Sequence, residues 1–142
     1  ICEKFLSDAT GNPPKDYKVF CFNGEPKIIA VDFAKYGRNK DSTHGLKRNI
    51  YDLNWNFIDA QISVFNDPNT EHEKPENLDE LIKLSSKLSK DFPHVRVDFF
   101  IVNQKIYFSE MTFFNTSGMG KITPKSFETL MGEWIDLPSV DN

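Results

Sequence analysis

The chain has 142 residues, of which 39% are hydrophobic, 13% aromatic and 27% charged, a composition typical of one globular domain. Its net charge of −4 provides no basic excess and therefore argues against nucleic-acid binding. No apolar run approaches the roughly 20 residues that cross a bilayer, so no transmembrane helix is predicted.

The start of the chain lacks an initiating Met and the long apolar region of a secretory signal. We therefore expect residues 1–142 to be a single domain and a fragment of a larger protein. Cys2 and Cys21 lie in apolar stretches with no second Cys or His at metal spacing. We expect both to be buried reduced thiols of a cytosolic protein.

Strands dominate the predicted N-terminal half, and the Asn23-Gly24 pair between two of them is a strong hairpin signal. Alternating or apolar patterns predict four strands: residues 1–6, Tyr17–Phe22, Pro26–Phe33 and Arg48–Leu53. Polar, Gly- or Pro-containing stretches predict three loops: residues 7–15, 34–46 and 66–76.

A long helix is predicted over about Leu78–Asp91, where Asn77 can cap the N-terminus and leucines recur at helical spacing. Two strands follow it: Val95–Val102 and Ile106–Phe113. Thr123-Pro124 predicts the start of a last helix over about residues 124–134. This order of elements predicts an α+β fold with a largely antiparallel sheet and two main helices.

Acidic residues on the last two predicted strands form the main candidate site. Arg96 and Asp98 share one face of the first strand, and Glu110 and Thr112 share one face of the second. Asp98 lies opposite Glu110 only if the turn after residue 102 has three residues or the strands contain an equivalent bulge. A two-residue turn in regular register would put Glu110 on the other side of the sheet.

Two carboxylates in direct opposition repel each other unless a cation neutralises them. Arg96 is one such cation, and Mg²⁺ is the natural inorganic one, because it prefers oxygen ligands and binds nucleotide phosphates. The spacing is thus compatible with a phosphoryl-transfer site. The alternative is a solvated hairpin face with scattered charges. Residues 115–120, which are small and polar with two glycines, either bring backbone N–H groups close to an anion or form a plain loop.

The stretch Arg96–Phe100, a short turn and the stretch Tyr107–Phe114 together resemble the end of an ATP-grasp domain. The closer resemblance is to the TupA-like ATP-grasp family of polysaccharide-biosynthesis proteins. It extends over four blocks of sequence: Asp16–Gly24, Arg48–Leu53, Phe92–Asp98 and Lys121–Pro124.

The resemblance implies ATP and Mg²⁺ as cofactors, a clamp of two α+β lobes around ATP, and the C-terminal portion of that fold for this chain. Asp98 and Glu110 would be the metal carboxylates, with Thr112 at the position of the usual Asn. Arg96 would be the catalytic residue that stabilises charge on the transferred phosphate. The lobe with the glycine-rich loop is missing from the chain, and Asn115-Thr116 stands where Pro-Gly is more usual.

The resemblance also implies nucleoside contacts from the N-terminal residues. Glu3 would accept from the adenine amino group, and the backbone of Lys4, Phe5 and Leu6 would pair with the ring edge. Asp16 would hold the ribose. For each of these the alternative is an exposed strand charge or a turn residue.

Two further basic residues are candidates for phosphate contacts. Lys18 precedes the apolar Val19 on a predicted strand, so its side chain projects from the other face of the strand. There it would either contact phosphate or face solvent. Arg48 follows a loop, where it binds phosphate or an acidic sugar.

The implied function is an ATP- and Mg²⁺-dependent carboxylate–amine ligase that acts through an acyl phosphate in cell-surface, teichuronopeptide-like polysaccharide biosynthesis. The alternatives are a glycosyltransferase that uses a nucleotide-sugar and a non-catalytic nucleotide-binding module. The expected partners are a nucleotide and a carboxylate or saccharide acceptor. We expect the full-length protein to be the enzyme, the fragment alone to be inactive, and the location to be cytoplasmic, with the inner membrane face as one option.

Overall fold

Antiparallel strands dominate the computed structural model, which describes residues 6–7, 11, 13–34 and 45–137. The described residues form eight strands: β1 (Asp16–Phe22), β2 (Glu25–Ala34), β3 (Leu46–Tyr51), β4 (Phe57–Ile58), β5 (Gln61–Ile62), β6 (His94–Val102), β7 (Lys105–Thr112) and β8 (Ile122–Thr123). Six of them build one sheet in the order β4-β3-β2-β1-β6-β7, and β5 pairs with β8. Every pairing is antiparallel.

Two α-helices accompany the sheet within the described ranges, α1 (Leu78–Ser89) and α2 (Lys125–Glu133), with a short 3₁₀ segment at Asn115–Gly118. The predicted α+β fold with a largely antiparallel sheet and two main helices is therefore confirmed. Both helices begin within one residue of their predicted starts. The predicted strand at residues 1–6 lies outside the described residues, apart from Leu6.

The hairpin signal at Asn23-Gly24 is confirmed. Both residues have positive φ, 50° and 79°, as a two-residue turn between twisted strands requires. A Cβ added at Gly24 would also lie 3.1 Å from the Cα of Lys90, so glycine meets a steric demand as well as a conformational one. This turn brings β2 alongside β1, with pairing from Phe22 and Glu25 next to the turn to Asp16 and Asp32 at the far end.

The two faces of the sheet have different coverings. Val19, Val97 and Phe99 pack with Leu78 and Leu81 of α1, and we call this side the α1 face. Removing each such side chain from water stabilises the fold by about 1.5–3 kcal/mol. The opposite side is apolar only over part of its area, where nine buried residues pack together: Phe20, Phe22, Ile28, Ala30, Ile50, Ala60, Ile62, Phe127 and Met131.

The rest of that opposite side carries charged residues, and we call it the site face. Lys18 of β1, Asp98 of β6 and Glu110 of β7 follow one another across the sheet in register. They alternate along their strands with residues of the α1 face, so their side chains project away from the first apolar cluster. The site is thus held by three neighbouring strands, the inner strands β1 and β6 and the edge strand β7.

Cys21 is buried on the α1 face, and burial raises the pKa of its thiol to about 11. The thiol is therefore protonated at neutral pH, whereas Cys2 lies outside the described residues. Among the described residues, no helix combines the length and the apolar character that crossing a bilayer requires.

Candidate functional site

Asp98 and Glu110 lie opposite each other on β6 and β7 because of a β-bulge. The turn between the strands has only two residues, Asn103 and Gln104, both with positive φ. Regular pairing through such a turn would place Ser109 opposite Asp98. The register instead shifts by one residue after the Phe99–Phe108 pair, so Ser109 is the extra residue. The equivalent bulge that the site required is therefore present.

Arg96 is the hub of the hydrogen bonds around these carboxylates. Its Nε and Nη2 donate to the two oxygens of Asp98, each at 2.7 Å. Nη2 also lies 3.1 Å from Glu110 Oε1 and 3.0 Å from Thr112 Oγ1, and Nη1 donates to Asn115 Oδ1 at 2.6 Å. Burial works against the charged form, but the hydrogen bond and charge of Asp98 outweigh it and raise the pKa of Arg96. The guanidinium is thus a fixed positive charge.

Lys18 supplies the second positive charge of the site. Its Nζ donates to Asp98 Oδ2 at 2.7 Å and to Asp16 Oδ2 at 2.5 Å. Asp98 is only 1% exposed, so water contributes little to its solvation. Burying a carboxylate this deeply costs free energy, and cationic partners such as Arg96 and Lys18 offset that cost.

Asp16 carries an oxygen that the protein does not satisfy. Its Oδ1 is buried and has no hydrogen-bond partner among the described residues. Burial raises the pKa of the Asp16 carboxyl, and the hydrogen bond from Lys18 offsets only part of that effect. A buried acceptor without a donor costs free energy. This oxygen is therefore suited to accept a hydrogen bond from a ligand.

Arg48 and Asp32 form a second buried ion pair on the same face. Arg48 Nε and Nη2 donate to the two oxygens of Asp32 at 2.6 and 2.8 Å, and Nη1 donates to the Ile62 carbonyl at 2.9 Å. Asp32 in turn lies 4.0 Å from Lys18 Nζ. The structure therefore places Arg48 behind Asp32 and Lys18 and not beside the carboxylate pair.

The segment after β7 contacts the site and has an unusual backbone. Thr116 and Ser117 have φ of 50° and 53°, a region that a β-branched residue such as Thr rarely adopts. Thr116 Oγ1 lies 3.1 Å from Ser63 Oγ, and the preceding Asn115 is hydrogen-bonded to Arg96. Such strain is typical of functional segments whose surroundings over-determine their conformation.

A cavity of about 570 Å³ lies along β6 and β7, between the carboxylates and the turn that joins the two strands. Phe100 and Val102 of β6 line it with Tyr107 of β7, and Leu6 contributes from the N-terminal segment. Phe100 follows Asp98 by two residues, hence on the same face, and pairs in register with Asp16. A cavity with both apolar and polar walls, the polar ones from Ser7, Asn103 and Ser109, thus lies beyond the charged part of the site face. The predicted adenine contacts Glu3, Lys4 and Phe5 lie outside the described residues.

The donor set suits a divalent ion that arrives with a nucleotide. No group of three or more His, Cys, Asp or Glu side chains within the described ranges could hold a metal by itself. Mg²⁺, however, is usually bound by one or two carboxylates, substrate phosphates and water. Glu110 is the accessible carboxylate, because its side chain is 58% exposed. Asp98 is 1% exposed and would bind the ion only by giving up a hydrogen bond from Arg96 or Lys18. Thr112 Oγ1 lies 3.2 Å from Glu110 Oε1, beside the same carboxylate.

Two residues of the site were missed by the sequence analysis. Asp32 is an isolated acidic residue in the apolar part of β2. Its place in the site became evident only from its buried ion pair with Arg48 of β3. Asn115 was considered only as part of a small polar loop, yet it holds Arg96. In both cases the deciding contact joins residues that are far apart in sequence.

The comparison with protein families agrees with this geometry. The model of the TupA-like ATP-grasp family matches residues 1–136 of the 142-residue chain. No curated protein and no solved structure matches the chain. The family match includes all the site residues described above. The chain therefore belongs to the TupA-like ATP-grasp family.

Proposed function

We propose that the protein is an ATP- and Mg²⁺-dependent carboxylate–amine ligase that acts in the biosynthesis of a cell-surface polysaccharide. In the first step a carboxylate oxygen of the acceptor attacks the γ-phosphorus of ATP, and ADP leaves. In the second step an amine attacks the acyl carbon, phosphate leaves, and the amine loses a proton to solvent. Family membership supports ATP and Mg²⁺ as the cofactors. Because ATP is the proposed cofactor, the proposal places the reaction in the cytoplasm.

The observation that carries this proposal is the opposition of Asp98 and Glu110 beside Arg96 and Lys18. The two carboxylates, with Thr112 at their edge, would hold Mg²⁺, which when bound supplies charge neutralisation for the phosphates. Arg96 is oriented by four side chains and would stabilise the charge of the transferred phosphate. Because these hydrogen bonds already fix the guanidinium, its side chain needs little rearrangement as negative charge develops on the phosphate.

The nucleoside would occupy the cavity beside the carboxylates. Leu6 and Phe100 offer apolar contacts for the base, and the unsatisfied Oδ1 of Asp16 is an acceptor for a ribose hydroxyl. In the proposal, Glu3, Lys4 and Phe5 complete the adenine contacts. A base in an apolar pocket and a polyphosphate at a charged edge are the usual division of a nucleotide site.

Lys18 and Arg48 would have different roles in this site. Lys18 lies among Asp16, Asp98 and Asp32, so it would balance part of their negative charge and offer a donor to a phosphate oxygen. The donors of Arg48 are already used by Asp32 and the Ile62 carbonyl. We therefore assign Arg48 a positioning role, in which it fixes Asp32 close to Lys18.

Calorimetry of the full-length protein with ATP and Mg²⁺ tests the proposal. Asp98→Asn and Glu110→Gln should each weaken binding at least about tenfold, because each removes a carboxylate–metal contact. Glu133→Gln on the exposed end of α2 is the matched control and should leave the affinity unchanged. Unchanged affinity in both site variants would remove the metal assignment. If the protein binds a nucleotide-sugar and not ATP, the glycosyltransferase is the better interpretation. If it binds neither ligand, it is a module without nucleotide chemistry.

A further inference from the structure

A second cavity, of about 410 Å³, lies at the β3–β4 edge of the sheet. Its walls combine three aromatic side chains with polar groups: Tyr51, Trp55, Phe57, Thr70, Glu71 and His72. Tyr51 belongs to the apolar cluster of the α1 face, whereas Asp98 projects from the opposite face. The cavity is therefore separate from the proposed nucleotide site, and its size is typical of small-molecule sites.

Trp55 is held in this wall by a backbone conformation that a bulky residue rarely adopts, with φ of 73°. A turn closed by Asp52 and Asn56 imposes it. Asp52 N donates to the Asn56 carbonyl at 2.9 Å, and Asp52 Oδ1 accepts from Asn56 N at 2.8 Å. The indole Nε1 donates to the His72 carbonyl at 2.8 Å. The ring is thus fixed at both ends, and its strain is compensated by the surrounding contacts.

The aromatic rings form a continuous surface. The Tyr51 and Trp55 rings stack with centroids 4.5 Å apart and planes 7° from parallel. The Phe57 ring packs edge-on against Tyr51 at 6.1 Å and remains 38% exposed. Tyr51 is only 5% exposed and supports the other two rings, so Trp55 and Phe57 present the aromatic surface to the cavity.

Polar groups surround this surface. His72 Nε2 is buried and has no hydrogen-bond partner in the part of the chain that the structure describes. Burial, with a smaller effect from Lys15, lowers the pKa of His72 to about 4, so its ring is neutral at physiological pH. The Glu71 carboxylate adds an acceptor at the cavity wall. The Thr70 hydroxyl donates its proton to Asp67 Oδ2 at 3.0 Å and so adds a second acceptor.

We propose that this cavity binds a neutral saccharide unit. The C–H groups on one side of a pyranose ring carry partial positive charge and pack on the electron-rich face of an aromatic ring. The hydroxyls at the ring's edge then meet Glu71, Thr70 and His72. A uronate fits less well, because its carboxylate would approach that of Glu71. The site would hold a sugar on the face away from the ligase chemistry and is independent of the proposed reaction.

A titration of the full-length protein with methyl β-D-glucopyranoside and methyl β-D-galactopyranoside, followed by the NMR signal of the Trp55 indole N–H, tests this site. Saturable shifts with a Kd of about 1–10 mM are expected for at least one of them. Methyl β-D-glucuronide should bind at least about threefold more weakly. No saturable shift up to about 50 mM with either neutral glycoside would overturn the proposal.

Variants separate this site from the nucleotide site. Phe57→Ala should weaken glycoside binding at least about fivefold, and Phe65→Ala, which removes another exposed aromatic, should not. Because Trp55→Ala carries a risk of misfolding, Phe57→Ala with an otherwise native spectrum is the decisive variant. Asp98→Asn should leave the affinity for the glycoside unchanged, whether or not it lowers the affinity for ATP. Glycoside binding that is unaffected by Phe57→Ala contradicts the assignment.

Discussion

Lys18 Nζ lies 2.7 Å from Asp98 Oδ2, and the two residues pair in register on β1 and β6. Asp98 is buried, and its other partner is Arg96 on its own strand. The carboxylate therefore depends on cations from two strands. A ligand that approaches Asp98 also meets both positive charges, which is favourable for the oxygens of a polyphosphate.

Lys18→Met should lower the free energy of unfolding by about 3 kcal/mol, because it leaves a buried carboxylate short of one partner. Urea denaturation at pH 7 measures the change. Lys27→Met is the matched control, since Lys27 pairs with the exposed Glu25 and its loss should have little effect. Equal effects of the two substitutions would mean that the Lys18–Asp98 pair does not support the fold.

Arg48 and Asp32 should behave as a coupled pair. Arg48→Met leaves Asp32 buried without its bidentate partner, and the double variant Arg48→Met/Asp32→Leu should recover part of the lost stability. A double-mutant cycle by urea denaturation should give a coupling of at least about 1 kcal/mol. Additive effects would show that the two side chains act independently and would remove the positioning role of Arg48.

Asp16→Asn should separate stability from nucleotide binding. The pKa of Asp16 is raised in the folded state, mainly by burial, so the folded protein binds the proton more tightly than the unfolded chain. Stability therefore falls as the pH rises from 3.8 through the folded pKa, and the ionised carboxyl remains a cost at pH 7. The variant should be as stable as the parent or more stable at pH 7, yet bind ATP more weakly. A less stable variant with unchanged ATP affinity would refute both statements.

His72 should contribute to acid destabilisation. Burial lowers its pKa from 6.5 to about 4, so between these values the unfolded chain binds more protons and stability falls as the pH falls. His72→Gln should reduce the slope of unfolding free energy against pH in this window. His94, whose pKa burial also lowers, remains in the variant and accounts for residual slope. An NMR titration that finds His72 at its ordinary pKa would contradict this account.

Local signals were sufficient to predict much of the fold. The leucine spacing of α1, the Asn23-Gly24 turn and the apolar strands β1 and β6 each depend on neighbours in sequence, so their boundaries agree with the structure to within a few residues. The two-residue strands β4, β5 and β8 were not predicted. Strands this short form only where a partner strand is present. Two residues are also too few to show the alternation of apolar and polar positions by which a strand is predicted.

The site was only partly predictable, for the same physical reason. Alternation along β6 was enough to group Arg96 with Asp98 on one face. The bulge at Ser109 carries no Gly or Pro signal, so the sequence could state the need for it but not its position. The links from Lys18 to Asp98 and from Arg96 to Asn115 depend on tertiary register, which a single sequence does not contain.

The metal position itself is the most direct test of the account. Crystals of the full-length protein grown with Mn²⁺ and a non-hydrolysable ATP analogue give an anomalous difference map in which the ion is seen without a prior model. We predict a peak between β6 and β7, within about 2.5 Å of carboxylate oxygens of both Asp98 and Glu110. A nucleotide bound with its ion on phosphates alone, or a peak elsewhere on the protein, would contradict it.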